Sequence, residues 1–280
     1  MDMDRIKIHG QDGCDLFEPN EISSVWYRRE LPSIFSTISM SPEALEYSRS
    51  EAQIMLIALK EKLAHARWVN KPEKNRIASD KLSQLRDARL RGFRVPKTLV
   101  TNDPLAVIEF ARECGGKVIV KALRRGTIEA GKVFYSNLMD IALLQKHTMS
   151  ITVAPLIFQE CIQKDFEVRA IVVGVTCFGV KILSQEQEVT SIDWRRNPLL
   201  LKHEIFNLPT EVAERCITMT RSCCLWYSAF DLIVTPEGEY VFLEHNPVGQ
   251  FAWLEELTGI PIGKKLLEIL TSDNPLDNVL

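Results

Sequence analysis

Two apolar, β-rich runs joined by a short turn constrain the fold of this chain most strongly. The first run spans residues 227–234, the second spans residues 239–246, and Pro236-Glu237-Gly238 lies between them. Apolar runs on both sides of a Pro-x-Gly turn predict a β-hairpin. If Glu237-Gly238 is a two-residue loop, Asp231 on the first strand lies directly opposite Glu244 on the second. The sequence therefore predicts a hairpin in which two acidic side chains face each other.

These acidic residues predict a divalent-cation site. Cross-strand partners lie about 4.5–5.5 Å apart at Cβ, and facing carboxylates repel unless a positive charge lies between them. Asn246 shares the face of Glu244 because side chains alternate along a strand. Two carboxylates and an amide oxygen suit Mg²⁺, which also takes ligands from substrate phosphates. Two alternatives stay open: a three-residue loop with a bulge would shift the register by one residue, and an edge hairpin would leave both acids in solvent.

Further polar residues lie in apolar segments upstream of the hairpin. Lys121 belongs to an apolar strand, where a lysine needs an anionic partner unless the strand is an exposed edge. Glu167 and Arg169 share one face of another apolar strand, where they either serve a site or form a salt pair. Arg195 follows Asp193 in a loop-like stretch, and its planar cation suits phosphate or carboxylate. The alternative for Arg195 is a surface ion pair with Asp193.

The order and spacing of these residues resemble the ATP-grasp superfamily, and within it the ligases that build graspetides, the macrocyclic peptides of the microviridin and marinostatin type. The residues that carry the superfamily resemblance are Lys121, Glu160, Glu167, Val168, Arg169, Asp231, Glu244 and Asn246. The segments that resemble the peptide ligases are residues 24–29, 193–195 and 242–255. The resemblance covers roughly residues 20 to 270.

The resemblance implies an α+β protein with the ATP-grasp fold, in which two α+β lobes hold ATP between them. We expect a reduced N-terminal (pre-ATP-grasp) domain over residues 1–75, a central lobe over 76–157 and a C-terminal lobe with the metal site over 158–280. The strand-helix-strand unit that usually precedes the Trp-Tyr-Arg-Arg strand has no counterpart here, so either the start of the sequence is shortened or this domain is truly reduced.

The resemblance also assigns roles to residues of the expected cleft. Phosphate contacts fall to Lys81 and Lys121, and the adenosine pocket to Glu160, Ile162 and Glu167. The ligands of two Mg²⁺ ions would be Asp231, Glu244 and Asn246. Arg169 and Arg195 are the candidates for orienting the acceptor carboxylate and stabilising the transferred charge.

The implied reaction is ATP-dependent ligation on a precursor peptide that consists of a leader and a core with Thr or Ser and Asp or Glu. An Asp or Glu side chain is phosphorylated, and a hydroxyl or amine then displaces phosphate to close an ester or amide ring. Two other functions stay open: a ligase that adds free amino acids to a protein or small molecule, as glutamate-ligating relatives do, and a nucleotide-binding partner subunit without catalysis. A homodimer is one expected assembly state.

Composition excludes other classes of function. The net charge is −3 with no basic block, and 46% of residues are hydrophobic, so we expect neither a nucleic-acid partner nor a membrane partner. The acidic N-terminus lacks a secretory apolar stretch, which predicts a cytoplasmic protein. Seven cysteines without C-x-x-C spacing argue against a disulfide framework or zinc site. His245 lies between two candidate ligands and should pack on the opposite side of its strand.

Local patterns predict the remaining elements. Helices are expected over about residues 41–67, 80–92, 103–115, 210–224 and 261–271, and strands over about 95–100, 117–123 and 132–135. The loop expected to cover the phosphates, residues 123–131, holds only two glycines. Few backbone amides can approach phosphate closely there, so Arg124 or Arg125 would take their place.

Overall fold

The computed structural model describes residues 8–9, 16–28, 39–123 and 134–272 of the chain. The strands in these ranges are β1 (Ile8–His9), β2 (Leu16–Phe17), β3 (Ser24–Trp26), β4 (Arg67–Val69), β5 (Thr98–Thr101), β6 (Lys117–Lys121), β7 (Asn137–Asp140), β8 (Leu156–Glu160), β9 (Phe166–Val173), β10 (Thr176–Ile182), β11 (His203–Ile205), β12 (Tyr227–Val234) and β13 (Tyr240–Asn246). The helices are α1 (Pro42–Lys62), α2 (Pro72–Ala78), α3 (Lys81–Leu90), α4 (Pro104–Glu113), α5 (Ile141–Lys146), α6 (Thr148–Thr152), α7 (Glu188–Ser191), α8 (Thr210–Ser222), α9 (Ala252–Thr258) and α10 (Ile262–Thr271).

The largest sheet has five antiparallel strands in the order β11-β10-β9-β12-β13. Every residue of β9 and β12 is buried, which explains why both read as nearly continuous apolar runs. One face packs against α3 and α8 through a core that contains Val168, Phe230 and Met219. The other face is covered over only half its length, by α9 and α10 around Ile171 and Leu254. The polar residues of β9 and β12 lie on the uncovered half of that face, because side chains alternate along a strand.

The second sheet has four antiparallel strands in the order β5-β8-β6-β7. Val107 and Leu144 from α4 and α5 pack against Val118 and Phe158 from the strands. Because β8 completes this sheet, the domain boundary predicted at residue 157 falls inside a strand. Residues 161–165 connect the two sheets.

Helix α3 packs against the larger sheet, although the predicted central lobe would include it. Its Leu85 and Ala88 share a core with Phe242 of β13. Arg94, four residues after the end of α3, is bound to the same strand: the amide of Phe242 donates to its carbonyl at 2.9 Å. An apolar helix face does not reveal which sheet it will cover.

The N-terminal elements are tied to the larger sheet. Strands β3 and β4 pair in parallel as a two-stranded sheet. The guanidinium of Arg67 in β4 donates to the carbonyl of Ile269 in α10 at 2.8 Å. Directly after β4, the buried side chain of Asn70 donates to the carbonyl of Tyr227, the first residue of β12, at 2.9 Å. These bonds place β3 and α2 beside the end of the hairpin that carries the acidic residues.

The structure agrees with most predicted elements, but one helix ends earlier than predicted and one strand begins later. The helix predicted to run to residue 67 ends at Lys62, because Arg67–Val69 pair with β3 as a strand. The strand predicted at 132–135 is not formed by its described residues, and β7 begins at Asn137. Residues 132–133, like residues 124–131 of the predicted phosphate-covering loop, lie outside the described residues. Within the described ranges, no helix combines the length and apolarity that crossing a membrane requires.

Candidate active site

A cleft of about 1210 Å³ lies between the two sheets and is lined by residues from both. It extends from the connecting segment at Cys161 and Ile162 to Arg28 and Arg76 at the N-terminal side. Pockets for one drug-sized ligand usually measure about 300–1,000 Å³. This cleft therefore has room for a nucleotide and for part of a second ligand.

The hairpin of β12 and β13 places Asp231 directly opposite Glu244, as predicted, but the loop that joins the strands differs from the predicted loop. The loop holds Pro236, Glu237 and Gly238, because the amide of Thr235 donates to the carbonyl of Glu239 at 3.0 Å. Gly238 has φ +83°, a left-handed conformation that costs glycine little. The predicted two-residue loop is therefore wrong.

A β-bulge restores the acidic pair that the longer loop would otherwise misalign. Leu232 pairs with Phe242 and Asp231 pairs with Glu244, so Leu243 is the extra residue. Because of the bulge, the side chains of the neighbouring residues Leu243 and Glu244 both line the cleft. The bulge places an apolar wall residue beside a carboxylate, which a regular strand cannot do.

His245 faces the core, as predicted, although it lies between two candidate metal ligands. Its ring stacks on Phe230 with centroids 5.2 Å apart, and its Nδ1 lies 2.8 Å from the hydroxyl of Ser228. Burial lowers the pKa of His245 to about 4. The imidazole is therefore neutral near pH 7 and acts as a packing group.

Cations balance the facing carboxylates. Arg169 Nη1 donates to Asp231 Oδ1 at 2.7 Å, and both side chains are buried. Glu244 lies 3.4 Å from Arg195 Nη1 and 3.7 Å from Lys81 Nζ. Burial raises the pKa of Asp231, and Arg169 opposes this shift. Burial would also raise the pKa of Glu244, but Arg195 and Lys81 help to hold it below its ordinary value.

Arg169, which the resemblance assigns to the acceptor carboxylate, is not among the residues that line the cleft. The guanidinium lies behind Asp231 and is only 6% exposed. A Cβ at Gly249 would lie 2.7 Å from Arg169 Nη2, so glycine at that position leaves the space that the guanidinium occupies. Its position makes Arg169 a support for Asp231. The salt pair with Glu167 that the sequence left open does not form.

The remaining donor set fits Mg²⁺. Among the described residues, no group of three or more His, Cys, Asp and Glu side chains forms a metal cage. Asp231, Glu244 and Asn246 line one wall and offer two carboxylates and an amide oxygen. Of the described residues, only Arg169 donates to Asp231, and it leaves Oδ2 available. Mg²⁺ commonly takes one or two protein carboxylates and completes its shell with phosphates and water.

The loop after α7 holds Arg195 in the cleft wall. Arg195 Nε and Nη2 donate to Asp193 Oδ1 and Oδ2 at 2.8 and 2.7 Å, a two-pronged contact. Trp194 is buried against Trp253, with ring centroids 5.3 Å apart. Burial would raise the pKa of Asp193, but Arg195 holds it well below its usual range. The pair with Asp193 does form, but Arg195 also reaches Glu244 and lines the cleft, so it is no surface pair.

Lys81 and Lys121 lie beside each other at the end of β6. Lys121 is the last residue of β6, so the strand ends two residues before the predicted end. Lys81 is the first residue of α3, and its Nζ donates to the carbonyl of Ala122 at 2.9 Å. Lys121 forms no hydrogen bond or ion pair with any described residue, and burial lowers its pKa to about 8. An unpaired, partly desolvated cation in a cleft wall suits an anionic ligand.

The far end of the cleft contains the three residues predicted to surround adenosine. Glu160 accepts from the amide of Lys97 at 3.1 Å. Ile162 is buried in an apolar cluster with Leu243. Glu167 accepts from Lys164 Nζ at 2.7 Å, and burial raises its pKa. This end therefore combines an apolar wall with carboxylates.

Two buried amide side chains fix the end of β13, and the sequence analysis missed both. Gln84 Nε2 donates to the carbonyl of His245 at 2.9 Å, and its Oε1 accepts from the amide of the same residue at 3.2 Å. Asn70 Nδ2 donates to the carbonyl of Pro247 at 3.0 Å. The backbone on both sides of Asn246 is thus held by amides from the N-terminal part of the chain. A polar residue three positions after Lys81 on an apolar helix face was the available signal for Gln84.

No family model and no curated protein matches the chain. Solved structures match almost its whole length. Macrocyclase MdnC from Microcystis aeruginosa MRC, bound with precursor peptide MdnA, is 30% identical with a TM-score of 0.83, and the match covers 98% of this chain and 85% of MdnC. A RiPP-associated ATP-grasp ligase from Chryseobacterium gregarium, in complex with ADP and a leader and core peptide, is 26% identical with a TM-score of 0.82 over 98% of this chain and 86% of that one. Macrocyclase MdnB from Microcystis aeruginosa MRC is 28% identical with a TM-score of 0.74 over 92% and 80%.

Proposed function

Because this chain belongs to the ATP-grasp ligases of the graspetide family, we propose that it uses ATP to close macrocyclic ester or amide links in a ribosomal precursor peptide. The observation that carries this proposal is the arrangement of one cleft. Facing carboxylates Asp231 and Glu244 lie beside Lys81, Lys121 and Arg195, in a space larger than one nucleotide needs.

The nucleotide would occupy the end of the cleft near the connecting segment. Ile162 and Leu243 offer an apolar wall for adenine, and Glu160 and Glu167 offer acceptors for its polar groups and for ribose. Lys121, which forms no ion pair with a described residue, would contact phosphate. Mg²⁺ held by Asp231, Glu244 and Asn246 would neutralise charge on the β- and γ-phosphates when bound.

The chemistry needs positioning rather than a protein nucleophile. A carboxylate oxygen of the peptide attacks the γ-phosphorus and ADP leaves, which gives an acyl phosphate. A Thr or Ser hydroxyl or a Lys amine of the same peptide then attacks the acyl carbon, loses its proton, and releases inorganic phosphate. Arg195 would bind the peptide carboxylate or the transferred phosphoryl group, since it lines the cleft beside Glu244. Arg169 would act through Asp231, which it holds in place.

The test of this function is ring formation on a candidate precursor. The probe is any short peptide that the DNA beside this gene encodes and that contains Thr or Ser together with Asp or Glu. We expect loss of one water per ring in its intact mass, together with ADP, only when ATP and Mg²⁺ are present. ADP release with free glutamate and no change in the peptide would instead support the amino-acid ligase. ATP binding without turnover would support a non-catalytic partner subunit.

Lys121 is expected to couple nucleotide binding to proton uptake. Burial lowers its pKa to about 8 in the free protein, and a bound phosphate should raise that pKa again. Near about pH 9, Lys121 is then mostly neutral before binding and protonated after it, so ADP binding should take up a proton. At about pH 6.5 the lysine is already charged and should contribute no uptake. ADP affinity should accordingly fall as pH rises above the free-state pKa.

Calorimetry in buffers of different ionisation enthalpy measures this uptake. Lys121→Met should bind ADP more weakly, because a poorly screened cation is lost, and should show no uptake that depends on pH in this range. The matched control is Lys117→Met in the same strand, which lies outside the cleft and should leave both quantities unchanged. Equal affinity and uptake in the Lys121 variant and the wild type would make Lys121 a structural residue.

Three further expectations belong to this proposal. The sequence-based expectations of a homodimer and of a cytoplasmic location are retained as proposals, to be tested by light scattering and by cell fractionation. The division into N-terminal, central and C-terminal units is also retained, with the modification that β8 belongs to the central sheet and α3 to the larger sheet.

A further inference from the structure

Two arginines at the N-terminal end of the cleft have no acidic partner among the residues that the structure describes. Elsewhere in the cleft wall, Lys81 and Arg195 both contact Glu244. Arg28 and Arg76 line the same cleft, but neither forms a hydrogen bond or ion pair with any residue that the structure describes. Neither arginine has a role in the proposed binding of nucleotide or metal. Within the described part of the chain, they are therefore cationic groups with free donors, and both line the cleft.

Arg28 is held by an aromatic contact that leaves its donors available. Strand β3 is fixed through Tyr27, whose amide donates to the carbonyl of Val69 at 2.9 Å. The guanidinium carbon of Arg28 lies 5.7 Å from the Trp26 ring centroid, and that ring lies 5.7 Å from the ring of Phe251. A cation–π contact restricts the orientation of a guanidinium without using its N–H groups. The N–H groups of Arg28 are thus oriented and available to bind a planar anion such as a carboxylate.

Arg76 lies on a helix that is anchored to the same framework. It occupies the last turn of α2, next to Asn75. Asn75 is buried, and its Oδ1 accepts from Asn70 Nδ2 at 2.9 Å. Asn70 in turn is bonded to Tyr227 and Pro247 at the end of the hairpin. The helix that carries Arg76 is therefore fixed relative to the metal-binding strand.

Arg28 lies on the reaction-centre side of this framework. The hydroxyl of Tyr227 donates to the carbonyl of Gly249 at 2.7 Å. Burial raises the pKa of Tyr227, and both Arg169 and Arg28 oppose this shift. Tyr227 is therefore near both Arg28 and Arg169, and Arg169 in turn supports Asp231. The end opposite the proposed nucleotide pocket is thus the place for the peptide.

We propose that Arg28 and Arg76 form a second carboxylate-binding subsite, which anchors an acidic residue of the peptide other than the one being phosphorylated. Guanidinium groups bind carboxylates through paired N–H donors, and two of them favour an acidic peptide segment. The inference rests on the proposed function, because it assumes a peptide in the cleft. It adds a specificity rule: the enzyme prefers peptides with at least two carboxylates near each other.

The test is a binding cycle with synthetic peptides. The probes are fluorescein-labelled Thr-Glu-Ala-Glu and its versions with Gln in place of either or both Glu residues, titrated in the presence of Mg²⁺ and ADP. In the wild type, replacing one Glu should weaken binding about tenfold, as expected for loss of a charge-assisted hydrogen bond. In Arg28→Ala and Arg76→Ala the same replacement should have a much smaller effect. Arg86→Ala is the matched control, because Arg86 is an exposed arginine on α3 outside the cleft.

Each other outcome overturns the proposal. If replacing one Glu with Gln weakens binding to both arginine variants as much as it weakens binding to the wild type, Arg28 and Arg76 do not form the subsite. An equal loss in Arg86→Ala would reduce the effect to non-specific charge. Weaker ADP binding with an unchanged peptide preference would assign the arginines to phosphate. Ring formation by the wild type on the precursor is measured separately, so failure of the proposed function is distinguishable from failure of this subsite.

Discussion

Replacing Glu244 with glutamine is expected to lower ATP turnover by about a hundredfold or more, because the site loses charge that holds Mg²⁺ on the phosphates. Its ion-pair contacts with Arg195 and Lys81 are long, at 3.4 and 3.7 Å, so their loss should cost little stability. Turnover is measured as ADP formed with saturating Mg²⁺ and the precursor peptide. Urea unfolding of the same variant should give a free energy close to that of the wild type.

Asp231→Asn should lose activity to a similar extent but should also be less stable. From the sequence alone, removing one of two facing acids is expected to relieve repulsion. In the structure Asp231 is the buried partner of Arg169, so the substitution leaves a buried cation without its counter-charge. Breaking such a pair costs up to about 3–5 kcal/mol, and the asparagine oxygen offsets part of this by still accepting a hydrogen bond. Wild-type turnover in either variant would exclude the proposed metal site.

Arg195 variants are expected to lose ring formation while keeping nucleotide affinity. Arg195→Lys retains a positive charge but cannot reproduce the two-pronged contact with Asp193 or offer a planar fork to a carboxylate. We expect the yield of dehydrated peptide to fall at least about a hundredfold in both Arg195→Lys and Arg195→Ala. ADP affinity, measured by calorimetry, should change only about twofold to threefold, because the proposed adenosine pocket lies at the far end.

The neighbouring arginine provides the control for this prediction. Arg196 Nη2 donates to the carbonyl of Ser136 at 2.9 Å and to Asn137 Oδ1 at 2.7 Å, and Arg196 does not line the cleft. Arg196→Ala should therefore perturb the same loop without removing a group from the cleft. If ring formation falls equally in the Arg196 and Arg195 variants, the loop matters only for its conformation. Near-normal dehydration in both Arg195 variants would remove Arg195 from the mechanism.

Polar residues within apolar strands made most of the candidate site predictable from the sequence. Polar residues in apolar strands, such as Glu167 and Asp231, indicated the half-face of the sheet that borders the cleft. The facing of Asp231 and Glu244 was predicted correctly from a loop that is one residue too short. The bulge at Leu243 compensates for that error, and nothing in a uniformly apolar run indicates where a bulge will form.

Contacts between distant segments were not predictable from the chain. Gln84 and His245 are 161 positions apart, and Asn70 and Pro247 are 177 apart. A buried amide on a helix resembles any other polar residue until its partner strand is known. For the same reason Arg169 was assigned to the acceptor, although it lies behind Asp231. Local patterns predict which face is polar, but only packing decides which polar groups face the ligand.

The acyl-phosphate route is tested most directly by isotope transfer. The precursor peptide is prepared with ¹⁸O in the carboxylates of its Asp and Glu side chains and is incubated with ATP and Mg²⁺. Attack of a carboxylate oxygen on the γ-phosphorus predicts one ¹⁸O in the released inorganic phosphate for each ring formed, with ADP as the nucleotide product. Rings formed with unlabelled phosphate, or with label in AMP, would contradict this account.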